Sequence, residues 1–171
     1  MKILKRIFFA ILIFVALLLI VALFVPKAFT SEAEVVINEP KQQVFNYIKF
    51  VKNQDNFGVW QLSDPDMKTI ASGADGSVGF KYSWDGEKTG KGSQTITHIV
   101  DGERMESELD FGFGEPARSY FILKELAPEQ TSVTWGITGK SPYPWNLMNL
   151  FMNMDDQFKE GLGNLKRILE R

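Results

Sequence analysis

The sequence offers few of the side chains that enzymes use for catalysis. It contains one histidine, His98, and no cysteine, so a thiol nucleophile and a cysteine–histidine pair are both excluded. Strand-like alternation around His98 places its imidazole on the same face as Ile96 and Val100. A lone histidine in a strand is more often structural or solvated than catalytic. The sequence therefore indicates no catalytic residue.

Two groups of carboxylates stand close together in the sequence. Glu106, Glu108 and Asp110 share one face of a predicted strand, which is typical of a solvated face or of a weak cation site. Asp155 and Asp156 are adjacent, and adjacent helical residues point about 100° apart, so these two carboxylates cannot face each other as an acid–base pair. Without cysteine, a second histidine or an HExxH spacing, we expect no metal and no cofactor.

The charge of the chain is unevenly distributed. The net charge is −2, but the first 26 residues contain Lys2, Lys5 and Arg6 and no acidic residue, whereas the remainder carries 16 basic and 21 acidic residues. Because nucleic-acid phosphates require a basic surface, we expect no nucleic-acid partner for this acidic remainder. The whole chain contains 14 Phe and four Trp, a large aromatic content that can fill a core or line a cavity.

Residues 7–25 form an unbroken apolar run of 19 residues. As a helix this run spans about 28 Å, close to the thickness of the hydrocarbon core of a bilayer. A cleaved signal peptide is the alternative, but its apolar region is usually only about 7–15 residues long. We therefore expect residues 1–26 to be a retained, single-pass anchor in the plasma (inner) membrane. The basic flank before the run places the N-terminus in the cytoplasm and residues 27–171 outside it.

The part of the chain after the apolar run is predicted to be a domain of strands bracketed by helices. A first strand over 33–37 precedes a helix that extends to about Phe50, and a loop-like segment follows with Phe57 and Trp60 as anchors. Asp85-Gly86 and Asp101-Gly102 are strong hairpin signals. Strands grouped between helices predict an α+β fold. Six further strands are predicted at 67–71, 78–84, 90–100, 104–113, 118–126 and 132–139.

The last predicted element is one long helix from about residue 144 to residue 169. Gly161 and Gly163 lie inside it, and each costs about 1 kcal/mol relative to Ala. We expect this cost to be compensated by close approach of the helix to the sheet, or by free space beneath the helix. The apolar residues of the helix recur at intervals of three and four and form one stripe, Phe151, Met154, Phe158, Leu162, Leu165 and Leu169.

Several segments resemble one branch of the SRPBCC (START-like) superfamily. The tail GKSPYPWNLMNLFMNMDDQFKEGLGNLKRILE resembles the C-terminal part of that branch, and VVINEPKQQVFNYI resembles its first strand and helix. VGFKYSW, GKGSQTIT and TSVTWGITGK extend the resemblance over about residues 31–170. It implies a helix-grip fold, in which a curved antiparallel sheet surrounds the C-terminal helix and leaves a cavity between them. Many members also carry an N-terminal hydrophobic segment, and the branch is commonly described as polyketide cyclase/dehydrase and lipid transport.

Together these features predict a membrane-anchored monomer that binds a hydrophobic or amphipathic small molecule, such as a lipid, without transforming it. Two other functions stay open: a polyketide cyclase/aromatase-like or hydrolytic enzyme, and a protein-interaction module similar to the related heat-shock co-chaperone domains. The aromatic residues could also fill a solid core. If the interior is hollow, we expect its wall to include Trp84, Phe111, Phe121, Trp135, Met148, Phe151 and Phe158.

The predicted topology can be tested with protease. Protease added to intact spheroplasts should digest residues 27–171, because these residues are expected on the outer side of the membrane. Protection of the domain would reverse the topology. An intact mass that lacks the first 30 residues would instead identify a cleaved signal peptide.

Overall fold

The chain folds around one curved sheet of seven antiparallel strands. The computed structural model describes residues 2–151 and 153–171. The strands are β1 Ala28–Ile37, β2 Lys68–Ser72, β3 Lys81–Gly86, β4 Gly90–Val100, β5 Arg104–Asp110, β6 Ala117–Ala127 and β7 Gln130–Lys140. Their order in the sheet is β1-β7-β6-β5-β4-β3-β2, so β1 pairs with the last strand of the chain rather than with its neighbour in sequence.

Helices accompany this sheet at both ends of the chain. In the described residues these are α1 Lys2–Phe24, α2 Lys41–Ile48, α3 Val59–Ser63 and α4 Asp155–Leu169, with 3-10 helices at Val51–Asn56 and Trp145–Leu150. The helix α4 lies across β1 and β7, and α2 packs against β6 and β7. This arrangement confirms the predicted α+β helix-grip architecture.

Turn signals and alternation set most of the strand boundaries. The strand β4 covers the predicted residues 90–100, and its turn to β5 contains Gly102 with a φ of 72°, a conformation that glycine adopts without a Cβ penalty. The first strand is longer than predicted, because Ala28, Phe29 and Thr30 pair with residues 138–140 of β7. This pairing joins segments that are far apart in the sequence, and no local pattern in residues 28–30 predicts it.

An irregularity in β4 changes the predicted position of His98. The pairing register shifts between Ile96 and His98, so Ile96 lies opposite Ser107 while His98 lies opposite Glu106. Ile96 is buried and His98 is exposed, so the prediction that the two share a face was wrong. The extra residue of a bulge reverses the alternation of the side chains that follow it. Glu106, across from His98, pairs with Arg104 at 2.7 Å.

The predicted long C-terminal helix is broken. The 3-10 helix ends at Leu150, and Phe151, Asn153 and Met154 are not helical, so the prediction of one helix over 144–169 was wrong. At the break, two side-chain oxygens accept hydrogen bonds from backbone amides at the start of α4. The Asn153 side-chain oxygen accepts a hydrogen bond from the Asp155 amide at 2.8 Å, and the Ser31 hydroxyl accepts one from the Met154 amide at 2.9 Å. These bonds replace the helical partners that the first amides of α4 lack.

Polar contacts join both ends of α4 to β1. At its start the Ser31 hydroxyl donates to the Asp155 carboxylate, which also accepts from the Glu32 amide at 3.0 Å. At its end the Glu170 carboxylate accepts from the Asn38 amide at 2.6 Å and pairs with Lys166. An acidic residue in the first turn also suits the helix dipole. The helix is therefore fixed along β1 at two points about four turns apart.

In the described residues, the exposed apolar helix α1 meets the domain near its C-terminal end. It is long and apolar enough to cross a membrane, and among its described residues Ala22 is the buried one. The Asn146 side-chain amide donates to the carbonyls of Ala22 and Val25 at 2.7 and 2.8 Å. The last carbonyls of a helix lack helical partners. The second 3-10 helix therefore caps the end of α1.

Close packing of α4 on the sheet occurs at Gly161. A methyl group added there would lie 2.7 Å from Cζ3 of Trp135, a separation that carbon atoms do not adopt without a shift. Trp135 cannot easily move, because its ring is buried among other aromatic rings. At Gly163, in contrast, an added methyl group meets no described atom within 4 Å. The close approach predicted for these glycines therefore occurs at Gly161 alone.

The carboxylate of Asp64 joins the connection between α3 and β2 to the turn between β3 and β4. One oxygen accepts hydrogen bonds from the backbone amides of Thr89 and Lys88 at 3.0 and 2.9 Å, and from the Thr89 hydroxyl. These bonds, that from the Thr89 amide first, hold the pKa of Asp64 below its ordinary value. The ionised carboxylate is thus the form that the folded state favours.

The two helix glycines give a matched pair of stability variants. Gly163→Ala should raise the free energy of unfolding by up to about 1 kcal/mol, because alanine favours the helix and the position is open. Gly161→Ala should lower it, because overlap with the Trp135 ring costs about 1–3 kcal/mol. Urea unfolding of the full chain in a mild detergent measures both changes. Equal effects of the two substitutions would contradict the proposed contact.

The contribution of Asp64 to stability should depend on pH. Since its pKa is lowered by folding, the stabilisation is present above its unfolded pKa of about 4 and is lost as the pH falls through the lower folded value. The difference in unfolding free energy between wild type and Asp64→Asn should therefore shrink as the solution is acidified. Asp66→Asn, at an exposed neighbour, is the control. A difference that stays constant over the acidic range would contradict this role.

Candidate functional site: a cavity under the sheet

A cavity of about 730 Å³ lies between the concave face of the sheet and the start of α4. It exists because α4 packs on β1 and β7, whereas the inward side chains of Trp84, Gln94 and Leu109 on β3 to β5 line the open space instead. Most of its wall is aromatic or aliphatic. The apolar members are Phe29, Trp60, Met67, Trp84, Leu109, Phe111, Phe113, Ala117, Trp135, Ile137, Pro142, Trp145, Met148, Met154 and Phe158.

A cluster of five aromatic rings packs together at the inner end of the cavity, which three of them, Trp60, Trp135 and Phe158, line. Trp135 is stacked on Phe121 with ring centroids 5.0 Å apart, and its edges or faces meet Phe57, Trp60 and Phe158 at 5.5, 5.9 and 5.0 Å. Offset stacked and edge-to-face rings add about 0.5–1.5 kcal/mol per pair beyond the burial of their area. The cluster therefore forms a rigid apolar end wall.

The outer end of the cavity opens between two exposed segments. Phe111 and Phe113 come from the loop after β5, and Trp145 and Met148 come from the second 3-10 helix. Phe113 is 80% exposed and Trp145 is 65% exposed. The ring of Phe111 also meets the edge of Trp84 on the cavity wall, with centroids 6.1 Å apart. The mouth is thus as aromatic as the interior.

Polar groups on the wall are few and mainly uncharged. Gln94 and Ser119 are buried strand residues, and the Gln94 amide donates to the Ser107 hydroxyl at 3.2 Å. The charged residues on the wall are Lys140 and Glu115, and both are exposed. A neutral interior with charges at its edge fits a molecule whose charged or polar part stays outside.

Tyr82 is the ionisable side chain in the interior of the cavity, where its hydroxyl donates to the Asp55 carboxylate at 2.7 Å. Burial, together with this bond, raises the pKa of Tyr82 to about 12. Burial likewise raises the pKa of Asp55. At neutral pH the phenol therefore stays protonated, with its one O–H donated to Asp55, and cannot act as a base. In the part of the chain that the structure describes, no three His, Asp or Glu side chains are grouped to hold a metal ion.

The seven residues predicted for a cavity wall separate into two groups. Phe121 is buried behind Trp135, so it belongs to the packed core and does not line the cavity. Phe151 is 86% exposed, because the chain is not helical there and the stripe that was predicted to carry it inward begins at α4. Contact of a ligand with any of these residues stays a prediction. The five on the wall are Trp84, Phe111, Trp135, Met148 and Phe158.

Sequence reasoning missed several wall residues. Trp60 was recognised as an anchor of a loop, but its place in a short helix over the cavity was not. Phe29 precedes the predicted start of the first strand, and Trp145 was assigned to the long helix. A signal for the cavity mouth existed in the aromatic spacing of Phe111 and Phe113, which flank a glycine.

Comparison with known proteins gives matches by structure. No protein-family model matches the chain, and no curated protein matches its sequence. Norcoclaurine synthase from Thalictrum flavum superposes with a TM-score of 0.67 at 8% identity, covering 89% of this chain and 92% of that one. The Aha1 dimer from Colwellia psychrerythraea gives 0.59 at 12% identity, covering 83% and 96%. DynU16, a putative protein of the dynemicin biosynthetic locus, gives 0.58 at 15%, covering 82% and 47%.

At such low sequence identity, these superpositions establish a shared fold. They do not transfer the activity of any of these proteins to this chain. The features that this chain shares with the fold are the seven-stranded antiparallel sheet, the C-terminal helix across it and the hollow between them. The chain shares the helix-grip fold with these structures, and this is the fold that its sequence resemblance implied.

Proposed function

We propose that this protein is a membrane-anchored binding domain for a hydrophobic or amphipathic small molecule, such as a lipid, and that it does not transform its ligand. The observation that carries the proposal is the cavity of about 730 Å³ with an apolar wall. Small-molecule sites are usually apolar clefts of about 300–1,000 Å³ with a few polar groups. Burial of apolar surface gives about 25 cal/mol per Å², so an apolar ligand gains most of its affinity from this wall.

The two ends of the cavity assign an orientation to the ligand. The inner end consists of the aromatic cluster around Trp135, which offers no charged group to a bound molecule. Lys140 and Glu115 are exposed members of the wall. An isolated charge is costly to bury. The apolar part of the ligand therefore points toward Trp135 and any charged part stays near Lys140 and Glu115.

The apolar helix α1 supports membrane attachment of the domain. Its side chains other than Ala22 are exposed, and such a helix in water would leave a very large apolar surface uncovered. Hydrogen bonds from Asn146 to its last carbonyls make the end of α1 part of the folded domain, which favours retention over cleavage. We propose one crossing of the plasma (inner) membrane, with the N-terminus in the cytoplasm and the domain outside, and a boundary between anchor and domain near residue 26.

Binding is preferred to catalysis because of the chemistry of the wall. The acid–base candidate in the buried part of the wall is Tyr82, whose pKa of about 12 keeps the phenol protonated at neutral pH, with its O–H donated to Asp55. His98 is exposed on the other face of the sheet and does not line the cavity. Proton abstraction requires a group whose pKa lies nearer the working pH.

Photolabelling can detect a ligand in the cavity. A diazirine-bearing fatty acid added to membranes that contain the full chain should, on irradiation, modify peptides with Trp135 or Phe158, because both lie at the inner end. Leu109→Trp adds bulk to the wall and should reduce this labelling to background. The matched control is Ile70→Trp, at an exposed position of β2, which should leave the labelling unchanged.

Two outcomes of the labelling would contradict binding in this cavity. Labelling confined to α1 would show that the probe was in the bilayer and did not enter the domain. Inner-end labelling that survives Leu109→Trp would show that the probe reaches those peptides without occupying this cavity. Thermal unfolding of both variants establishes that the added tryptophan has not unfolded the chain.

A further inference from the structure

Exposed apolar side chains are concentrated in the two segments that border the mouth of the cavity. Phe113, Trp145, Leu150 and Phe151 are 80%, 65%, 56% and 86% exposed, and we call these four residues the apolar rim. The two segments that carry them are neighbours, because both line the mouth and a methyl group at Gly114 would lie 3.9 Å from the ring of Pro142. Adjacent large apolar groups on a surface usually mark a binding partner.

Hydrogen bonds fix the position of the rim relative to α1. The Asn149 amide donates to the carbonyls of Pro26 and Lys27 at 3.0 and 3.2 Å, next to the bonds of Asn146 with the final turn of the helix. The Tyr143 hydroxyl donates to the carbonyl of Leu19 at 3.2 Å. A carbonyl without a partner is costly in a lipid environment. The bonds from Asn146 and Asn149 to the carbonyls of Ala22, Val25 and Pro26 therefore stabilise the end of α1 at a bilayer surface.

The hydrogen bond between Tyr143 and Leu19 indicates how far the segment around Tyr143 lies below the C-terminal end of α1. Leu19 precedes the end of α1 at Phe24 by five residues, or about 7.5 Å along the helix axis. Apolar faces of interfacial helices are buried about 5–10 Å into the boundary between headgroups and acyl chains. Tyr143 and Trp145 are of the residue types that favour this boundary. A bilayer crossed by α1 therefore reaches the level of the second 3-10 helix.

Two basic side chains beside the apolar rim are suited to the headgroup level of the bilayer. Lys27 follows α1 and Lys140 lies at the end of β7, where it pairs with Ala28 in the sheet. Both lysines are exposed, in a domain that otherwise carries more acidic than basic residues. Basic side chains near the headgroups are attracted to lipid phosphates, most strongly at an anionic surface.

We propose that the apolar rim inserts into the outer boundary of the bilayer that α1 crosses, so that the mouth of the cavity opens onto lipid rather than onto water. The proposal rests on the membrane-anchored binding function above and identifies the bilayer itself as the partner of the rim. A hydrophobic ligand then passes between bilayer and cavity without exposing its apolar surface to water, an exposure that would otherwise slow the transfer.

The absence of native cysteine permits a direct test by site-directed spin labelling. Phe113→Cys and Phe151→Cys place a nitroxide on each segment of the rim, and both positions are exposed enough to tolerate the change. Ile70→Cys on β2 is the exposed control, and Leu17→Cys reports on α1. The full chain is reconstituted in vesicles of phosphatidylethanolamine and phosphatidylglycerol. Collision of each nitroxide with oxygen, which concentrates in lipid, is compared with collision with a water-soluble nickel complex.

Labels at 113 and 151 should collide preferentially with oxygen, as the label at 17 does, and the label at 70 should collide preferentially with nickel. Nickel access at 113 and 151 equal to that at 70 would overturn the rim insertion while the label at 17 still confirmed the anchor. Nickel access at 17 would overturn the anchor and the insertion together. Shielding of 113 and 151 from both reagents would identify a protein partner or a second copy instead of lipid.

A second variant tests the connection between α1 and the rim. Asn146→Ala with Asn149→Ala removes four of the hydrogen bonds that hold the second 3-10 helix to residues 22–27. The label at 113 should then become more accessible to nickel, while the label at 17 stays in lipid. An unchanged depth at 113 would show that these bonds do not position the rim.

Discussion

The close approach of α4 to the sheet at Gly161 determines where the interior is filled and where it is hollow. Because glycine has no side chain, the helix rests directly on the ring of Trp135, and Phe57, Phe121 and Phe158 surround that ring. The contacts of Asp155 and Glu170 with β1 hold the helix in this line. The helix therefore covers β1 and β7, and the inward faces of the more distant strands border a cavity.

The break before α4 opens this cavity toward the end of α1. If α4 continued back to residue 144, residues 145–150 would follow the axis of α4. They instead form the second 3-10 helix, which lies against the end of α1. Asn146 and Asn149 bind carbonyls of residues 22–27, and Trp145 and Met148 from the same segment border the mouth of the cavity. One six-residue element thus connects the apolar helix to the opening of the domain. This connection supports the proposal of a lipid-binding function at a bilayer surface.

Much of the fold could be predicted from local patterns in the sequence. Alternation and Asp-Gly turns are short-range features, and they gave the bounds of β4 and the antiparallel order of the central strands. The break in the C-terminal helix could not be predicted, because Phe151 and Met154 continue the helical spacing across it. The contacts that produce the break come from Ser31 and from the end of α1, both more than 100 residues away. The bulge before His98 likewise could not be predicted, because the alternation of residues in β4 gives no sign of it.

The candidate site was predictable only where strand alternation determines it. Trp84 and Trp135 lie on strands whose inward faces were readable, and both border the cavity. Phe121 points inward as well, but the stacking of Trp135 upon it separates it from the open space, which is a matter of packing in three dimensions. Phe151 depended on the helix that does not form. A sequence states which side chains face inward; the volume left between them depends on where the helix comes to rest.

The central claim is that the cavity holds a lipid-like molecule taken from the surrounding membrane. Native mass spectrometry of the full chain, released from cell membranes in a mild detergent, tests it most directly. The account predicts a protein–ligand complex with one bound molecule per chain, and fragmentation should identify that molecule as lipid-like and unaltered. A spectrum in which the wild-type chain carries no bound molecule, under conditions that preserve lipid complexes of a control protein, would contradict the account.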